Sequence, residues 1–102
     1  MSSGEWASHV VELNRLLSGL CTTGPSGRLL PPDGGFRKWR TLTTRLRQNR
    51  GTIYLVGNGA SATMASHMAA DLAKNAQLHT EVFSDLSLIT AISNDMGYEH
   101  VF

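Results

Sequence analysis

The sequence predicts an α/β fold, and three observations carry that prediction. Thr52 to Val56 is a short β-branched and aliphatic run, broken by Gly57-Asn58-Gly59-Ala60-Ser61 and followed at once by an alanine-rich segment with helical spacing. A second short run, His79 to Phe83, precedes a second helical pattern through Leu86, Leu88, Ile89 and Ile92. Two amphipathic stripes, separated by a Gly/Pro-rich stretch, lie ahead of both. Strand, helix, strand, helix in that order implies a parallel sheet with right-handed crossovers.

The first stripe is Trp6, Val10, Leu13, Leu17 and Leu20, spaced as one face of a helix. Ser3 or Gly4 suits its cap, Glu5 its first turn, and Gly19 falls near its end. So short a helix is marginal alone and must dock on something. From Cys21 to Gly35 the composition shifts to glycine and proline, which reads as a loop with Arg28-Leu29-Leu30 packing locally. Phe36, Trp39, Leu42 and Leu46 form the second stripe, with Gly51 placed to terminate that helix.

Thr52 to Val56 is nearly continuous in apolar character, as expected of a parallel strand covered on both faces. The helix after it carries Ala65, Met68, Ala69 and Leu72 on one face. Asp85 is placed to cap the last helix, which runs into Asn94-Asp95-Met96-Gly97. Two strands are too few to bury both sheet faces. The chain therefore reads as the opening part of a larger doubly wound unit.

Composition narrows the class. The 102 residues allow one domain at most; 41% are apolar and 17% charged, with a formal net charge of +1. No apolar run is long enough to span a membrane. Met1 to Gly4 lack the start of a signal peptide, and the single cysteine, Cys21, has no internal partner, so a cytoplasmic location is expected. Phe36 to Arg50 holds six basic residues and no acid. Those residues scatter around the helix without a base-reading motif, which favours a solvated face over a nucleic-acid surface.

Chemistry concentrates at the Gly57 turn. A strand entering a helix through glycines aims backbone N–H groups and the positive helix end at one point, a natural anion cradle. Glycines at 57 and 59 allow positive φ, Asn58 and Ser61 add side-chain donors, and Ser61 is placed to cap the helix. Packing alone also explains such a turn, and the residues leave both readings open. The dinucleotide fingerprint is excluded by Ala62, and a P-loop by the missing Gly-Lys-Ser/Thr ending. His67 and Asp71 stand four apart, which suits a divalent metal or an acid–base pair and equally describes a chance pair on a solvated face. Asn94-Asp95 reads either as a helix-ending Asx turn or as part of a ligand crevice.

Gly57-Asn-Gly-Ala-Ser61, His67, Asp71-Leu72 and Leu88-Ile-Thr-Ala-Ile-Ser-Asn-Asp-Met-Gly-Tyr-Glu-His-Val-Phe102 together resemble the sugar isomerase (SIS) domain of phosphoheptose isomerases. The resemblance covers about Arg37 to Phe102 and implies a flavodoxin-like sheet. Residues 1–35 become an N-terminal helix and linker, and residues 36–102 a partial SIS domain. The resemblance implies conversion of sedoheptulose 7-phosphate to D-glycero-D-manno-heptose 7-phosphate for lipopolysaccharide heptose. It implies that Asn58, Gly59, Ala60, Ser61, Asn94 and Asp95 bind the phosphorylated sugar, that His67 and Asp71 bind zinc, and that Asp71 is catalytic. It implies a homo-oligomer built through the leading helix.

Asp71 stands where the family has glutamate, a shortening that misplaces a base by about 1 Å, worth on the order of a hundredfold in rate. The family's later Ser/Thr-rich phosphate loop, Gln and His are not matched, so the isolated chain is expected to hold an incomplete zinc site and to be inactive. The alternative reading is a non-catalytic SIS module that binds a sugar phosphate or a protein partner.

Overall fold

A computed structural model describes residues 3–102. Its secondary structure is mixed α and β, rich in helix. The chain divides into two compact units, one ending at Leu42 and the other running from Thr43 to Phe102.

In the first unit, α1 (Ser3–Ser18) starts early enough that its capping position falls outside the described residues, as does part of the Met1 to Gly4 stretch. Its apolar face lies open to solvent, with Trp6 76% exposed. On the same helix Arg15 forks onto Glu12, Nε to Oε2 at 2.9 Å and Nη2 to Oε1 at 2.6 Å. That fork holds the Glu12 carboxyl below its ordinary range.

The stretch expected to be a loop contains a small antiparallel hairpin, β1 (Thr22–Thr23) with β2 (Leu29–Leu30). Its turn closes through Gly27 N–H to the Gly24 carbonyl at 2.9 Å, with Gly27 at φ 80°. Helix α2 (Pro32–Gln48) begins four residues before the expected Phe36. Pro32 takes the first helical position, where a missing N–H costs nothing, and Asp33 complements the positive helix end. Gly35 sits inside this helix because a Cβ there would collide with the Thr22 side chain.

α2 ends in a Schellman motif. Arg50 N–H bonds to the Arg47 carbonyl at 3.2 Å, and Gly51 N–H to that of Leu46 at 2.8 Å. The left-handed residue is Arg50, at φ 54°, and not the expected Gly51. Glycine is needed at 51 for a different reason: a Cβ there would strike the Leu46 side chain.

The second unit is built on β3 (Thr52–Leu55) and β4 (His79–Val82), a parallel pair in the register Thr52 to His79 through Leu55 to Val82. The crossover between them is α3 (Ala60–Ala76), which packs mainly on β4. Ala69 on α3, 8% exposed, and Leu78, 5% exposed, are the buried apolar residues among those described. Met68, expected on the packed face, is half exposed.

One sheet face is covered: Ile53, Leu55, Thr80 and Val82 are half-buried, while Tyr54, His79 and Glu81 are exposed. The expectation of cover on both faces therefore fails among the described residues. On the open face Tyr54 stacks on Phe83, centroids 5.6 Å apart. α4 (Leu86–Met96) is capped as expected by Asp85, whose carboxylate accepts from Leu88 N–H at 2.9 Å. It packs chiefly on the 3₁₀ turn Tyr98–His100 that follows Gly97.

Candidate functional site

The turn between β3 and α3 is fixed by two glycines for two different reasons. At Gly59 the backbone adopts φ 63° and ψ −127°, a conformation in which a side chain is strained. At Gly57 the constraint is space, since a Cβ would run into the backbone of Ser61 and Ala62. Positive φ, which both glycines allow, occurs at Gly59 alone of the pair.

Ser61 closes the turn. Its hydroxyl accepts from Asn58 N–H at 2.7 Å and donates to the Asn58 carbonyl at 2.8 Å. The capping position belongs to Gly59, with no side-chain cap, so Ser61 holds the loop from inside the first helical turn. Gly59 and Ala60 N–H have no acceptor among the described residues. Asn58 through Ser61 are all exposed, so the turn and the start of α3 lie at the surface. This arrangement can receive an anion.

His67 lies seven residues beyond Ala60, about 10 Å along the helix axis. Its Nε2 stands 3.2 Å from Asp71 Oδ2, the two side chains being 79% and 44% exposed. The contact is an ion pair when the imidazole is protonated and a hydrogen bond otherwise. A carboxylate in contact with an imidazole can accept and return a proton.

Asn94 and Asp95 occupy the last turn of α4, one step earlier than the post-helix position expected of them. Asn94 Nδ2 donates to Asp95 Oδ1 at 3.2 Å, and both residues are exposed. No hydrogen bond joins them to the Gly57 turn among the described residues. The structure therefore brings together Asn58 with Ser61 and His67 with Asp71, and leaves Asn94 and Asp95 as a separate pair.

Among the described residues no group of three or more His, Cys, Asp or Glu side chains is disposed to hold a metal. His67 and Asp71 would offer two of the three or four protein donors that a zinc site uses. They do not by themselves fit a zinc shell. Also among the described residues, no helix is long and apolar enough to cross a membrane.

The chain is 44% identical over 61 residues, 54% of its length, to a phosphoheptose isomerase of Helicobacter pylori, covering 32% of that protein. It is 39% identical over 67 residues to the phosphoheptose isomerase of a Bradyrhizobium species, 60% of this chain and 33% of that one. A phosphoheptose isomerase of Aneurinibacillus thermoaerophilus is 37% identical over 68 residues, 61% of this chain and 34% of the relative. The chain is thus related to phosphoheptose isomerases over about half its length, and it spans about a third of the length of the curated relatives it matches. No family model matches the chain, and no solved structure gives a significant match.

Proposed function

We propose that this chain contributes the first part of a phosphosugar isomerase site, for interconversion of sedoheptulose 7-phosphate and D-glycero-D-manno-heptose 7-phosphate. The observation that carries the reading is the relationship to phosphoheptose isomerases; the open N–H groups at the start of α3 support it. On this reading β3, α3, β4 and α4 open a doubly wound parallel sheet of the SIS type, in a cytoplasmic homo-oligomer.

The turn holds the phosphorylated sugar through Gly59 and Ala60 N–H and the Asn58 amide, with Ser61 fixing the loop. Asn94 and Asp95 contact the sugar once further chain surrounds it. Asp71 carries a proton between C1 and C2 of the sugar through an enediol, and His67, in contact with its carboxylate, orients it. His67 and Asp71 would supply two of the donors of a zinc site, and a metal held there would offer Lewis-acid chemistry at a carbonyl.

Titration of the labelled chain with sedoheptulose 7-phosphate tests the reading. Saturable amide shifts at Gly59 and Ala60, absent with unphosphorylated sedoheptulose, are expected; their absence refutes it. A coupled assay on the same chain is expected to find no turnover, and appreciable turnover would show that His67 and Asp71 need no further groups. Asp71 in place of the family's glutamate, with the non-polar Ala62 and Met64, favours a second reading, a non-catalytic module that binds a sugar phosphate or a protein partner. Stoichiometric zinc that is lost on His67→Ala would support the isomerase, whereas an absence of zinc is expected of two donors under either reading and separates nothing.

A further inference from the structure

The end of the sheet opposite the Gly57 turn carries a second concave site. Thr52 and His79 are register partners and open β3 and β4, so they mark the edge where both strands begin. Around them Arg47, Arg50, Gly51 and Gln77 line a cleft of about 430 Å³. That volume is in the range of small-molecule sites. β3 alone, at about 3.3 Å per residue, separates this edge from the Gly57 turn by roughly 13 Å.

The lining residues include two arginines and a histidine, and no acid. Arg47 spends one N–H on the Ala76 carbonyl at 3.3 Å, which anchors it across the end of α3. Arg50 has no acid partner among the described residues. The nearest acid on β4 is Glu81, whose Oε1 is 3.4 Å from His79 Nε2.

The backbone adds an independent observation. Two non-glycine residues in the second unit have positive φ, Arg50 at 54° and Gln77 at 55°, and both line this cleft. Each terminates a helix in a conformation that glycine adopts without strain. Each instead carries a long side chain, one a fork of five donors and the other an amide, at the rim of the same cavity.

We propose that this cleft binds a phosphate group, held by Arg47 and Arg50, whose two full charges outweigh the partial negative ends of α2 and α3 at the cleft, with Gln77 as a neutral donor. Guanidinium groups match phosphate oxygens in pairs, and the cavity has room for a small organic group attached to the phosphate. The site would be a second anion site, independent of the reading given for the Gly57 turn.

Amide spectra of the full chain test it, with inorganic phosphate and glycerol 3-phosphate as probes and chloride at matched ionic strength as control. Saturable shifts at Gly51, Thr52, Gln77 and His79 are expected with the phosphates and not with chloride. Arg50→Gly suits the left-handed backbone and removes the guanidinium, so it should keep the fold by circular dichroism and weaken binding about tenfold or more. Tighter binding of glycerol 3-phosphate identifies an organic phosphate as the occupant, and equal binding identifies free phosphate; both uphold the site. Shifts confined to Gly57 through Ser61, no saturation, or an Arg50→Gly chain that binds as tightly as the parent would overturn it.

Discussion

The hydroxyl of Thr80 on β4 donates to the carbonyl oxygen of Ala69 on α3 at 2.9 Å, beside one of the two buried apolar residues of the described chain. It is a side-chain tie between sheet and crossover helix where little apolar area is buried. Thr80→Val keeps the shape and removes the donor, so it should lower unfolding stability by about 1 kcal/mol. Thr80→Ser should recover most of that loss. Urea unfolding of the three chains checks this, and identical midpoints would mean the bond contributes nothing.

The two glycines of the candidate site should fail differently. Gly57→Ala forces a methyl into the backbone of Ser61 and Ala62, and a loss of roughly 1–3 kcal/mol is expected from overpacking. Gly59→Ala meets open space but strains the backbone, for about 1–3 kcal/mol. Asparagine, which tolerates the left-handed helical well, should not rescue position 59, because ψ −127° lies outside that well. Thermal unfolding of Gly57→Ala, Gly59→Ala and Gly59→Asn separates the two mechanisms.

The uncovered apolar face of α1 should make the chain self-associate. Leu13 and Leu17, 57% and 65% exposed, are four apart on that face. Leu13→Lys with Leu17→Lys should lower the sedimenting mass at a fixed concentration without changing helix content by circular dichroism. An unchanged mass would assign any association to another surface.

Hydrophobic spacing located α1, α3 and α4 and the Thr52 and His79 strands, and capping chemistry located Asp85, because each of these signals is local to its own element. It failed where glycine serves packing and not conformation. Gly34-Gly35 looked like linker, yet Gly35 lies within α2 because Thr22 approaches it closely. Gly51 looked like the left-handed cap, yet Arg50 takes that conformation and Gly51 makes room for Leu46.

Among the site residues, the four-residue spacing of His67 and Asp71 was enough to foresee their contact. Nothing local foretold that Ser61 would turn its hydroxyl back onto Asn58. Arg47 and Arg50 were legible only as part of a basic helix, because their cleft partners Gln77 and His79 arrive through the parallel register.

That register has a kinetic side. Parallel strands cannot be joined by a hairpin, so every ladder hydrogen bond between β3 and β4 waits on closure of the whole crossover through α3. Ala69 and Leu78, the buried apolar residues among those described, contribute to offsetting the entropy of closing it. Sheet and helix therefore assemble and open as one cooperative unit, and their amide protons should exchange together. A ligand that steadies the first turn of α3 would slow exchange as far away as Thr52 and His79, at the other edge of the sheet.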